Sequence, residues 1–134
     1  MQTQMSKGGY GISRDADMGF NEAVARVTET LKDEGFGVLT EIDLKAKFKE
    51  KLDKDFGEYK ILGACNPGFA FEALGTAMDL GLLLPCNVVV YEHAGKTTVA
   101  AIDPVKMMSV ADSADLDKIA GEVETRLRRA IEKI

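Results

Sequence analysis

From Met18 to Glu34 the apolar residues Phe20, Val24, Val27 and Leu31 recur at three- and four-residue spacing, which predicts one face of a helix. Asp17 is a capping residue type before it, and Gly35 suits the left-handed stop after it. The segment Phe36 to Asp43 is short and rich in β-formers, so it reads as a strand. Asp43 can then cap a short helix in which Leu44, Phe48 and Leu52 fall on one stripe. Tyr59 to Cys65 predicts a strand, and Asn66 with Pro67 opens a helix. Asparagine accepts from free amides at a helix start, and proline fits the first helical position because its missing N–H has no partner there. That helix is expected to run to about Asp79, with Gly81 ending it and Leu82 to Pro85 forming a buried connector. Cys86 to Glu92 and Thr97 to Asp103 read as a hairpin around Ala94-Gly95, with Pro104 as the stop.

The last helix has an apolar face of Leu116, Ile119, Val123, Leu127, Ala130 and Ile134. Asp115 and Asp117 lie at its start and Arg126, Arg128, Arg129 and Lys133 at its end, the distribution that complements the helix dipole. With Tyr10 to Ser13 as a first short strand, the order is β-α-β-α-β-α-β-β-α. Alternating strands and helices point to a parallel sheet. The hairpin and the mixed polarity of the strands argue otherwise, because strands covered on both faces tend to be continuously apolar. The expectation is a two-layer α+β domain over residues 9–134, with helices mainly on one sheet face and a polar tail over residues 1–8. The second sheet face then needs a cover, a partner or a ligand.

Composition narrows the function. With 134 residues, 46% of them hydrophobic, the chain fits one core and leaves little for a second. A net charge of −5 without a basic stripe disfavours nucleic acid, whose binding rests on neutralising phosphates. No run approaches the length of a membrane span and no signal-peptide pattern opens the chain, so a cytoplasmic setting is expected. GGYG near the start lacks phosphate-loop spacing, and the lysines of KAKFKEKLDKD read as the wet face of a helix.

Chemistry concentrates around the two cysteines. Cys65 precedes the Asn66 cap, beside the positive end of a helix, where a thiolate is favoured. It reads either as a reactive thiol (a sulfur carrier, peroxide sensor or acyl acceptor) or as a small packed residue at a strand end. Cys86 is likewise followed by an asparagine, Asn87. The intervening helix separates the two cysteines, so no disulfide is expected, and the absence of CxxC or paired histidines gives no metal site. His93, the single histidine, falls in the hairpin turn and reads as solvated. Glu41 and Asp43 alternate onto one strand face with Leu39. They are either paired carboxylates or, more simply, a cap at Asp43 and an exposed-face residue at Glu41. A two- or four-residue hairpin turn would set Asp103 opposite Cys86, and a three-residue bulged turn would move it to the other face.

FGVLTEIDLKAKFKEKL, YKILGACNPGFAFEAL, GLLLPCNVVVYE and AIDP, in this order and spacing, resemble the domain of unknown function 302 family of bacterial and archaeal proteins. The resemblance covers residues 9 to 134. It implies a TATA-box-binding-protein-like α+β fold, with a curved, mainly antiparallel sheet and helices on one side, and it implies a homodimer. Fold likeness to a DNA-binding protein carries no implication about DNA. The matching positions are Glu41, Ile42 and Asp43; Gly63, Ala64, Cys65, Asn66 and Pro67; Leu84, Pro85, Cys86 and Asn87; and Asp103 with Pro104. No complete catalytic constellation accompanies them. A homodimeric module that binds a small ligand or protein partner, with its cofactor unspecified, is the leading expectation. A thiol-based protein using Cys65 is the alternative.

Overall fold

The computed structural model, which describes residues 3–5 and 8–134, sets the apolar stripes of two long helices against one face of an antiparallel sheet. The strands are β1 (Gln4–Met5), β2 (Gly11–Ala16), β3 (Gly37–Asp43), β4 (Tyr59–Cys65), β5 (Cys86–His93) and β6 (Lys96–Ile102). They lie in the order β1-β2-β6-β5-β4-β3, and every neighbouring pair is antiparallel. The helices are α1 (Phe20–Asp33), α2 (Leu44–Leu52), α3 (Pro67–Thr76), α4 (Pro104–Met108) and α5 (Ala114–Glu132). The α+β class and the antiparallel sheet agree with the sequence reading. Within the segment read as a polar tail, Gln4–Met5 pair with β2, and residues 1, 2, 6 and 7 lie outside the described residues.

Strand alternation builds the core. Ile12 of β2, Leu62 and Ala64 of β4, Val88 and Val90 of β5, and Val99 and Ala101 of β6 share one face and are buried. Phe20, Ala23, Val27 and Leu31 of α1 complete that core with Leu116, Ala120, Val123 and Leu127 of α5. The α1 helix closes in a Schellman motif: Gly35 at φ +88° donates to the Lys32 carbonyl and Phe36 to the Leu31 carbonyl. Arg14 donates to the Glu132 carbonyl and Arg26 to the Lys133 carbonyl (2.8 Å), satisfying the open end of α5.

Several boundaries differ from expectation, each for a local reason. The N-cap of α1 is Gly19, not Asp17, and makes no side-chain cap bond. The α3 helix stops at Thr76, and Gly81 falls inside a separate 3-10 turn, Met78–Leu83. That turn carries Leu82 outward at 87% exposure, while Leu83 and Leu84 pack half-buried against the core, so the connector is buried only in part. Pro104 does not merely end β6; it occupies the first turn of α4, where its fixed φ serves a helix equally well. His93 is the last residue of β5, paired with Lys96, and the turn itself is Ala94-Gly95.

Candidate functional site

The sequence-identified residues divide between the two sheet faces. In β4, Ala64 pairs with Cys86 on the helix-bearing face, while Gly63 pairs with Asn87 on the open face. Cys65, one residue past Ala64, therefore falls on the open side, and both thiols are free. Cys86 is buried. Burial, with a smaller contribution from nearby Cys65, pushes its thiol up to about 11. Asn66 caps α3, its Oδ1 accepting from the Phe69 amide at 3.3 Å, with Pro67 in the first turn behind it. Asp43 caps α2 by accepting from the Ala46 amide at 3.0 Å. Asp103 caps α4 by accepting from the amides of Val105 (2.9 Å) and Lys106 (3.4 Å). The two-residue turn fixes the hairpin, and continuing its Val88–Ala101 register sets Asp103 level with Cys86.

Glu41 and Asp43 share one face of β3, and Asp43 is engaged as the cap of α2. A bulge between Val38 and Thr40 packs Val38 on the core, turns Leu39 out and breaks the alternation read from sequence. Glu41 then registers with Leu62 and so belongs to the helix-bearing side, not the open face assigned to it. It stays exposed on the edge strand and accepts from Lys60 at 2.8 Å, and this pairing raises the lysine's pKa. Asp43, Asn66, Pro67 and Asp103 thus have local helix-start roles, and the eight residues do not converge on one centre.

What does converge lies on the open face. Gly11, Asn87, Val89, Ala100 and Ile102 form the floor of a groove of about 400 Å³. Tyr10 stands on one side and Tyr59 with Tyr91 on the other. These are all three tyrosines of the chain, which has no tryptophan. Tyr59 and Tyr91 are cross-strand partners stacked at 5.4 Å between centroids, their planes 10° apart. Phe56 lies 6.2 Å from Tyr59 and 4.9 Å from Phe48, which ties α2 to this wall. Burial, then the neighbouring Tyr91 and Tyr10 phenols, raises the Tyr59 pKa, so the ring stays a neutral phenol at physiological pH. Among the described residues, neither these hydroxyls nor the Asn87 amide has a hydrogen-bond partner. Among the described residues no charged side chain lines the groove.

Sequence reading singled out Asn87 but missed the tyrosines. The available signal was parity: Tyr59, Ile61 and Gly63 alternate against buried Leu62, as Asn87, Val89 and Tyr91 alternate against Val88 and Val90. Only the strand order brings Tyr10 and Ile102 to the same groove.

A protein-family model described as domain of unknown function DUF302 matches residues 12–134. A crystal structure of an uncharacterized conserved DUF302 protein from Bacillus stearothermophilus is similar, with 34% sequence identity and a TM-score of 0.87. The match covers 92% of this chain and 97% of that one. No curated protein matches the chain. Among the described residues no helix is long and apolar enough to cross a membrane.

Proposed function

The chain belongs to the DUF302 family, whose description assigns no activity, and from its own geometry we propose that it is a homodimeric binding module with its ligand site on the open sheet face. The observation that carries this reading is the groove itself. Its floor is largely apolar, all three tyrosines wall it, and four hydrogen-bonding groups around it have no partner among the described residues. Ligand pockets commonly combine such an apolar lining with a few placed polar groups. The lining offers surface and hydrogen bonds rather than a nucleophile with an adjacent base, so the activity is recognition. A net charge of −5 supports a partner other than a phosphate backbone.

The second copy belongs to α2 and the edge strand β3. None of the nine α2 residues is buried, and an isolated helix that short is marginal in water. Leu39, Ile42, Leu52 and Phe56 stand exposed around it.

One sample tests both parts. Sedimentation at micromolar concentration is expected to give twice the 14.5 kDa chain mass, and a monomer would remove the dimer. Fragment ligands are expected to change the tyrosine emission of the native chain and to have no effect on Val89→Arg, which fills the floor. An equal response in that variant would place the site elsewhere.

A further inference from the structure

The outer surface of α3 and the Met78–Leu83 turn finds its complement in another part of the same chain. Resting on the homodimer reading, we propose that two copies lie antiparallel along β3 about a twofold axis, and that α2 of each packs on α3 and the Met78–Leu83 turn of the other.

Three observations lead there. The first is the surface itself. Phe71, Met78 and Leu82 are the most exposed large apolar side chains among the described residues, and they fall on two consecutive elements. Ala73 is the one buried residue of α3, so packing within the chain uses little of an apolar helix. Exposed apolar surface of this kind marks an interaction site.

The second is charge. From Ile61 to Gly95 the sequence has no lysine or arginine, and the side chains of Glu72 and Asp79 have no ion pair among the described residues. The adjoining cleft between α3 and α5 keeps that sign, with Glu72, Asp115 and Glu122 against Lys118. Arg126, nearby on α5, is engaged by the Phe69 ring and the Glu34 carbonyl. The α2 segment is the converse. Leu52 and Phe56 stand exposed, and no residue of the helix is buried. Its acids are already taken, Glu50 by Lys47 and both Asp53 and Asp55 by Lys49, while Lys45 pairs with Glu58. That leaves Lys51 and Lys54 without an ion pair among the described residues. A basic amphipathic helix fits an acidic apolar surface.

The third is topology. The α2 helix begins where β3 ends, at Asp43. The α3 helix begins beside the start of β3, because Cys65 pairs with Gly37 and Pro67 lies two residues further on. Antiparallel copies of β3 therefore bring the α2 end of one chain level with the α3 end of the other. A twofold axis makes the contact reciprocal, so each copy gives one α2 and receives one. With Thr40 on the axis, Glu41 faces Leu39 and Asp43 faces Gly37, and no like charges meet along the edge.

Charge reversal on each surface, read by sedimentation of the full chain, tests this. Lys51→Glu with Lys54→Glu, and Glu72→Lys with Asp79→Lys, alter exposed side chains only, and circular dichroism is expected to stay native. Each double variant alone sets like charge against like charge at both contacts, and its dimer Kd is expected to rise about tenfold or more. An equimolar mixture of the two double variants has opposite charges at both contacts again, so it is expected to associate nearly as tightly as the native chain. If the Glu72→Lys, Asp79→Lys chain self-associates as tightly as the native one, the α3 surface lies outside the interface and the proposal falls, while a dimer through α2 and β3 stands. If both variants are weakened and their mixture is not restored, the two surfaces do not meet and the proposal also falls. If the native chain is itself a monomer at micromolar concentration, the homodimer reading fails and this proposal with it.

Discussion

Gly63 shows how a single residue holds the open face in place. A Cβ there would run into Thr40 Oγ1 on β3 and come within 2.8 Å of the Pro85 ring, and a proline ring has little freedom to yield. Gly63→Ala is therefore expected to destabilise the fold by about 1–3 kcal/mol, the usual range for overpacking, measured by denaturant unfolding. No loss would mean that β3 or the Pro85 segment gives way. Glu34 is a second case. Its buried carboxylate accepts from Lys133 at 2.7 Å and Arg129 at 3.4 Å, and Arg126 donates to its backbone carbonyl at 3.5 Å. The Lys133 hydrogen bond is the largest influence and, with the surrounding cations, lowers its pKa against the opposing effect of burial. A carboxylate with a lowered folded value stabilises above its ordinary range and loses that contribution as pH falls through the folded value. Glu34→Gln is thus expected to be less stable at neutral pH and to lose less melting temperature than the native chain between about pH 7 and about pH 3. Parallel pH profiles would contradict this. At this scale the sequence was informative where chemistry is local. Asn66 and Asp43 were legible as caps because a cap needs only its own next three residues. The Glu34 cluster was not, since its partners are about a hundred positions away in sequence.

Elements were legible as far as their signals were unambiguous. The stripe of α1, its Gly35 stop and the last helix came directly from periodicity. The Ala94-Gly95 turn has both residues at positive φ (51° and 77°), as a type I′ hairpin requires. Glycine accepts this freely and alanine does not. Asparagine is the favoured first residue of such a turn, so Ala94→Asn is expected to stabilise the protein by about 0.5–1 kcal/mol, read as a higher melting temperature. A lower melting temperature would show that the turn geometry is otherwise. The α4 helix escaped prediction because proline carries two meanings, strand stop and helix start, and the stop was the one read. The end of α3 was misplaced because Pro67–Thr76 is apolar nearly all round. Only Ala73 is buried, and Phe71 stands 85% exposed, so hydrophobic spacing could not mark where packing ends.

At the scale of the whole molecule, the need for something on the second sheet face was readable from strand polarity, but the shape of that face was not. The groove takes Tyr10 from before β2, Tyr59 from β4, Tyr91 from β5 and Ile102 from β6, and no local pattern links them. Strand order and the two-residue hairpin register bring them together. The cysteines, which drew attention first, lie on opposite sides of the sheet as a consequence of the same register. The central claim is that the open face is where this module meets its ligand. The direct measurement is amide chemical-shift mapping of the native chain against a library of small fragments. Binding is expected to shift Gly11, Asn87, Val89, Tyr91, Ala100 and Ile102 together and to leave the α1 and α5 amides still. Shifts gathered on the helical side, or none on the open face, would contradict it.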